Sequence, residues 1–306
     1  MTTEMETART TSLEREIRRS LNAGDICVSP WREGVDYFAD LVRHDDGRIV
    51  GVVRSPRHEV LPTDYEGTVD FADVLAKEVD VLGLLGQAGV PVPSVLAWRR
   101  RSDPQGTSWM LCEHIDHEPT RELNEDQQYE LGRIARAIHS IRLDRTVGRS
   151  QEPWPSYVLG RITDRLRSAE KYCPALPVET VLSRCAADVP SGAGQTDALL
   201  HLDLRPPNLC VREGRIAAVI DVANAITGDP WLELARIRFC GLFTEAFRAG
   251  YGLADTDVER QERLLDFYEL DIAALLTVVA AEEIDDQELL ESSRDRLEHL
   301  CAQIVR

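Results

Sequence analysis

The chain has 306 residues, 43% hydrophobic and 29% charged, which suits two core-bearing units or one large domain and excludes a disordered or fibrous chain. No apolar run approaches the length that crosses a bilayer, and MTTEMETARTT lacks the basic-then-apolar pattern of a signal peptide, so a cytoplasmic protein is expected. A formal net charge of −18 argues against a nucleic-acid backbone or an anionic membrane as partner; it permits a cationic ligand without requiring one.

In chain order, residues 1–10 read as a frayed tail, and Thr11 to Glu14 fits a capping box opening a helix on Leu13, Ile17 and Leu21. Strands and turns follow to about residue 115. DYFADLVRHDDGRIVGVVRSPR predicts two strands joined at Asp46-Gly47. A helix is expected over about 69–88, then strands in GVPVPSVLAWRR and SWMLCEHI around the polar loop RRRSDPQGT. Leu131, Ile134, Ala135 and Ile138 mark a helix capped by Asn124, and further helices are expected near 157–170 and 178–187. A flexible loop, DVPSGAGQTD, leads into ALLHLDL; after IAAVIDVA, Asp229-Pro230 supplies an N-cap and N1 proline, and helix dominates to the end. Seven scattered cysteines form no C-x-x-C pair and indicate neither a zinc site nor a disulfide framework.

The segment HLDLRPPNLCV, followed by VIDVANA, concentrates acids and an amide at the ends of apolar runs. If ALLHLDL and IAAVIDV pair across a turn at Glu213-Gly214, then Asp203, Asn208 and Asp221 surround one small volume. Hard oxygen donors of this kind suit Mg²⁺, and a carboxylate not used by metal can accept a hydroxyl proton. Turn and cap chemistry also favours these residue types, but the H-x-D-x4-N spacing is that of a kinase catalytic loop. In the strand-rich part, Val74, Val81, Leu82 and Leu85 form an inward stripe that includes Glu78, a carboxylate that needs a cation to be buried.

HLDLRPPNLCV…IAAVIDVANAITGDPWLELARI, together with KEVDVLGLL, GVPVPSVLA and LGRIARAIHSI in that order, resembles the aminoglycoside phosphotransferase family over residues 30–245. The resemblance implies an α+β, bilobal protein-kinase-like fold. A tail and helix (1–24) would precede a small antiparallel-sheet N-lobe that binds nucleotide (25–116) and a larger, mostly helical C-lobe with the catalytic loop and acceptor site (117–306). It implies a phosphotransferase moving the terminal phosphoryl of ATP or GTP, with Mg²⁺, to a hydroxyl of a small molecule, an aminoglycoside-like or other natural-product antibiotic, in resistance or biosynthesis.

Position by position, the resemblance makes Asp203 the group that orients and deprotonates the hydroxyl, and Asn208 and Asp221 the holders of Mg²⁺. His201 would brace the loop, and Asp229 would cap the next helix and steady the loop from behind. Arg54 would pair with Glu78 in place of the family's lysine, with Arg57 as the alternative cation. Gly34 marks a phosphate-covering turn poorer in glycine than usual, and Leu202 and Pro207 stand where the family often has glycine. Cys112 would line the nucleotide pocket, and backbone groups near Glu113 and Ile115 would meet a purine edge. His114 and His117 read as ordinary polar residues.

The run AAEEIDDQELLESSRDRLEH holds eight acids against two arginines and reads by default as a solvated face. By resemblance, Asp266, Glu269, Asp271, Glu282 and Glu283 are candidates to wall an acceptor site for a cationic substrate. Two other readings stand beside this one. A non-catalytic nucleotide or metabolite sensor is favoured by Arg54 and the thin glycine turn. A metal-dependent hydrolase on His201, Asp203 and Asp221 lacks a completing histidine cluster.

Overall fold

The computed structural model describes residues 3–63, 67–101, 106–192 and 195–306. Parts of the loops RRRSDPQGT and DVPSGAGQTD, residues 102–105 and 193–194, therefore lie outside the described residues. The chain forms two compact units: Met1–Pro62 with Thr68–His117, and Thr63–Gly67 with Glu118–Arg306. No helix among the described residues is long and apolar enough to cross a membrane.

The first unit runs α1 (Thr3–Leu21), β1 (Ile26–Glu33), β2 (Tyr37–His44), β3 (Ile49–Pro56), β4 (Val60–Thr63), β5 (Gly67–Asp70), α2 (Phe71–Gln87), β6 (Val95–Arg99) and β7 (Trp109–Cys112). Five strands make an antiparallel sheet in the order β1-β2-β3-β7-β6. The β2–β3 hairpin turns at Asp46-Gly47 as expected: Gly47 adopts φ +87°, and Asp46 Oδ1 accepts the Arg48 N–H at 3.0 Å.

The N-terminal residues depart from expectation. The helix starts at Thr3 rather than after a frayed tail, and Thr10 donates its hydroxyl back to the Glu6 carbonyl inside it. Tertiary contacts explain the extra turns. Leu13 and Ile17 pack on Ile26, Val42, Val53 and Trp109, and Arg9 grips the buried Asp40 carboxylate through both terminal nitrogens. Burial of that kind, not propensity, is what holds most helices in proteins.

The second unit runs α3 (Glu125–His139), α4 (Trp154–Ala169), α5 (Val178–Gly192), β8 (Ala198–Leu200), a 3₁₀ turn (Pro206–Asn208), β9 (Leu209–Arg212), β10 (Arg215–Val219), β11 (Ile226–Gly228), α6 (Pro230–Phe239), α7 (Glu245–Tyr251), α8 (Asp255–Glu282) and α9 (Gln287–Val305). Asn124 caps α3 through a reciprocal box with Gln127. The α5 helix continues to Gly192, through residues expected to form a loop.

Pairing around the HLDL segment also differs from expectation. The run ALLHLDL does not pair with IAAVIDV. Instead β9 pairs with β10 across Glu213 and Gly214, both at positive φ (+53° and +77°), and β8 pairs with β11. A two-residue turn with both residues left-handed selects the strands directly beside it, which are LCVR and RIAAV. Helices α3 and α7 meet at two glycines: a Cβ on Gly132 would fall 2.1 Å from the Phe247 carbonyl oxygen, and one on Gly250 would fall 2.0 Å from that of Tyr129. This close approach brings Tyr251 and His139 together beneath the loop at 201–208.

Candidate active site

The loop between β8 and β9 carries His201, Asp203 and Asn208, all buried. Asn208 Nδ2 donates to Asp203 Oδ2 at 2.6 Å and to the Asp203 carbonyl at 3.0 Å. With its amide protons so directed, its Oδ1 faces away from Asp203. The Asn208 carbonyl accepts the Ile220 N–H at 3.0 Å, and His201 Nε2 lies 3.2 Å from the Ile220 carbonyl. Asp221 follows at once, half-buried and at φ +63°. The fold thus gathers Asp203, Asn208 and the backbone of Asp221 into one neighbourhood.

His201 braces this loop. The Asp203 N–H donates to its Nδ1 at 3.2 Å, which leaves the ring proton on Nε2 for the Ile220 carbonyl.

Asp203 Oδ1 accepts from Arg205 Nε at 2.9 Å and from Arg236 Nη2 at 3.0 Å. Burial pushes the carboxyl up, but the Arg236 and Arg205 guanidiniums and their hydrogen bonds outweigh it and hold Asp203 below the ordinary aspartate value. It is therefore a carboxylate at neutral pH, able to accept a hydrogen bond.

The group that clamps the loop from behind is Glu233, which sequence reasoning passed over. Its Oε2 accepts the His201 N–H at 2.8 Å and its Oε1 the Leu202 N–H at 2.7 Å. Oε2 also lies 2.8 Å from His139 Nε2, and His139 Nδ1 lies 2.8 Å from the Tyr251 hydroxyl. Burial opposes ionisation of Glu233; the His139 hydrogen bond and charge, then His201 and its backbone N–H, bring its pKa below the ordinary value. Asp229 caps α6, accepting the Trp231 N–H at 3.0 Å, and takes the Tyr268 hydroxyl at 3.0 Å. Its capping role matches expectation, whereas the loop amides at 201 and 202 go to Glu233. A glutamate four residues past an N-cap in GDPWLELAR was the available signal, because such a side chain returns along the helix toward its start.

In the first unit, Arg54 Nη1 lies 2.5 Å from Oε2 of the fully buried Glu78, and the Arg54 guanidinium stacks 4.5 Å from the Tyr37 ring. The buried stripe of α2 includes Leu75, Val81, Leu82 and Leu85, with Val74 only half-buried. Arg57 has other work: its Nη1 donates to the Gly34 carbonyl at 3.0 Å and its Nη2 meets Glu33 at 3.1 Å. Gly34 itself closes the β1–β2 turn, donating to the Tyr37 carbonyl at 2.8 Å. The Cys112 thiol is pushed up to about 12 by burial, with Glu78 adding and Arg54 opposing. The Glu113 N–H is taken by the Ser94 carbonyl at 2.8 Å, and the Ile115 carbonyl lies 2.8 Å from His117 Nδ1. The expectation that backbone groups here meet a purine therefore narrows to the Glu113 carbonyl and the Ile115 N–H. His114 packs against Trp31 at 5.7 Å.

The acidic candidates divide, and two of them are corrected. Glu269 is buried between Arg238 and Arg296, and Asp271 is buried between Arg161 (2.9 Å) and Arg165 (2.8 Å). Neither presents a carboxylate to a ligand. Asp266 pairs with Arg238 at 2.7 Å, Glu282 accepts the Tyr172 hydroxyl at 2.7 Å, and Glu283 is exposed. The reason is that α8 is buried on nearly every side from Leu264 to Val278, so acids within it require internal cations.

Residues 41–267 match the profile of the phosphotransferase enzyme family, a span that includes the whole HLDLRPPN loop, Asp221 and Glu233. The chain belongs to that family. This phosphotransferase has no match among curated proteins. Its fold is shared by several solved structures of low identity. A candidate fructosamine-3-kinase from Haemophilus somnus 129PT is 16% identical, with 96% of this chain and 97% of that one covered and a TM-score of 0.68. Aminoglycoside phosphotransferase APH(4)-Ia, in a thermostable mutant bound to ADP and hygromycin B, is 20% identical, with 96% and 98% covered and a TM-score of 0.65. A GDP complex of an aminoglycoside 2'-phosphotransferase-IIIa mutant is 17% identical, with 96% and 98% covered and a TM-score of 0.65. The phosphotransferase is therefore a kinase-like enzyme with an antiparallel-sheet unit and a helical unit.

Proposed function

We propose that this enzyme transfers the terminal phosphoryl group of ATP or GTP to a hydroxyl of a small molecule, with Asp203 facing that hydroxyl. The observation that carries this reading is the 2.6 Å contact between Asp203 and Asn208 in a loop tied through Ile220 to Asp221. It holds a carboxylate against an amide and brings the backbone that carries a second acid, Asp221, beside them. The complexes of similar structures with ADP and hygromycin B, and with GDP, support a purine nucleotide and a small hydroxylated acceptor.

Asp203 orients the acceptor hydroxyl by accepting its proton in a hydrogen bond. Its lowered pKa makes it a weak base, which fits a loose transition state in which positioning matters more than early proton removal. Asn208 Oδ1 and the Asp221 carboxylate are hard oxygen donors and fit Mg²⁺, which leans on few protein groups and keeps its waters. Held by these two residues, such an ion would neutralise charge on the nucleotide phosphates. In the first unit, Arg54, held by Glu78, grips phosphate oxygens, and the Glu113 carbonyl and Ile115 N–H read the purine edge.

The test crosses each nucleotide plus magnesium with a library of hydroxylated compounds, first by thermal shift and then by product formation. Stabilisation by nucleotide follows from mass action. Phosphorylated product from the wild type, absent with Asp203→Ala, supports the reading; product from both refutes the role of Asp203.

A further inference from the structure

Resting on that reading, we propose that the acceptor is an alcohol that carries an anionic group, a carboxylate or a phosphate, drawn to the site by Arg205 and Arg236. Resemblance alone points the other way, to a cationic substrate met by acids, and the side chains around Asp203 reverse that sign.

Asp203 Oδ1 is shared by two guanidiniums, Arg205 at 2.9 Å and Arg236 at 3.0 Å. Within this cluster of three side chains two positive charges meet one negative, beside the atom that the acceptor hydroxyl must reach. Arg205 is 43% exposed and engages Asp203 through Nε alone; its terminal nitrogens have no partner among the described residues. A guanidinium so presented is a ready fork for a carboxylate or phosphate. Arg236 is 13% exposed, and its Nε is buried without a hydrogen-bond partner.

Three of the five acids that were candidates to attract an ammonium are held by internal arginines. Glu269 and Asp271 lie between arginine pairs, and Asp266 is on Arg238. An acceptor whose hydroxyl meets Asp203 places its next substituents within a few ångströms of Arg205, where like charge is repelled and opposite charge attracted. In a chain of net charge −18, this positive spot is not a by-product of composition.

The test uses four sugars of one pyranose frame that differ in charge: glucose, glucuronate and glucose 6-phosphate, changed at C6, and glucosamine, with an ammonium in place of the 2-hydroxyl. Wild type, Arg205→Met and Arg205→Lys are assayed with ATP or GTP and magnesium for phosphoryl transfer to each sugar. Each sugar is also assayed as an inhibitor of slow nucleotide hydrolysis, which reads the charge order for any sugar that does not accept. In the wild type, glucuronate or glucose 6-phosphate should bind about tenfold better than glucosamine, a difference that Arg205→Met removes and Arg205→Lys keeps. The better of the two anions identifies carboxylate or phosphate.

Equal affinities, or a preference for glucosamine, overturn the inference while leaving phosphotransfer intact. So does a fall in rate with all sugars alike in Arg205→Met, which would assign Arg205 to the transferred phosphoryl group. No nucleotide turnover with any sugar, with water or with the wider library of hydroxylated compounds would overturn the proposed transfer reaction, and this inference with it.

Discussion

The Glu233 carboxylate accepts the Leu202 N–H at 2.7 Å, and Leu202 sits at φ +63°, in the left-handed region that favours glycine. A leucine there costs roughly 1–2 kcal/mol. A hydrogen bond to a charged group contributes about 1.5–3 kcal/mol and offsets that cost. The chain therefore holds by a buried carboxylate a turn that a glycine would adopt freely, and the next residue is Asp203.

Glu233 makes this clamp dependent on pH. Its folded pKa lies below the ordinary value of 4.5, so between the two values the unfolded chain binds more protons than the folded one, and stability rises with pH. The contribution is fully present above 4.5 and is lost as pH falls through the folded value. Urea midpoints measured from neutral pH downward should decline in that window. In Glu233→Gln the neutral-pH stability should be lower and this decline shallower; an unchanged acid limb would place the titration elsewhere.

Half-buried Arg54 pairs with the fully buried Glu78, and the proposed function gives Arg54 a second partner, the nucleotide phosphates. Arg54→Met leaves a buried carboxylate without this cation and should destabilise the fold by about 3–5 kcal/mol. The double variant Arg54→Met with Glu78→Met should recover much of that stability. It should not recover nucleotide affinity, measured by titration calorimetry; recovery of both would make the pair structural only.

Asp271 serves the fold and not the acceptor. It is buried between Arg161 and Arg165, so Asp271→Ala should destabilise the enzyme by about 3–5 kcal/mol in chemical denaturation. The KM for acceptor should stay unchanged in the folded fraction. A raised KM with wild-type stability would return Asp271 to the acceptor site.

Much of this was legible in the sequence, for reasons of range. Asp46-Gly47, the Asn124 cap and the Asp229-Pro230 start are local signals, and the local structure follows them. The spacing of His201, Asp203 and Asn208 is also local, and the loop folds them together. What escaped depends on distant partners. The first turns of α1 exist because Arg9 meets Asp40, 31 residues away, and β8 pairs with β11 rather than with the nearer apolar run. Glu233 reaches a loop 31 residues upstream, and Glu269 and Asp271 look like surface acids until their arginines are placed. Charge in a sequence does not declare its partner.

Asp203→Ala tests the central claim most directly, with magnesium-dependent phosphoryl transfer and nucleotide-induced thermal stabilisation measured on the same sample. The expected result is a loss of transfer by about 10²–10⁴-fold with stabilisation by nucleotide preserved. Transfer at the wild-type rate would contradict the account, because no chemistry at the hydroxyl would then depend on the carboxylate that Asn208, Arg205 and Arg236 hold in place.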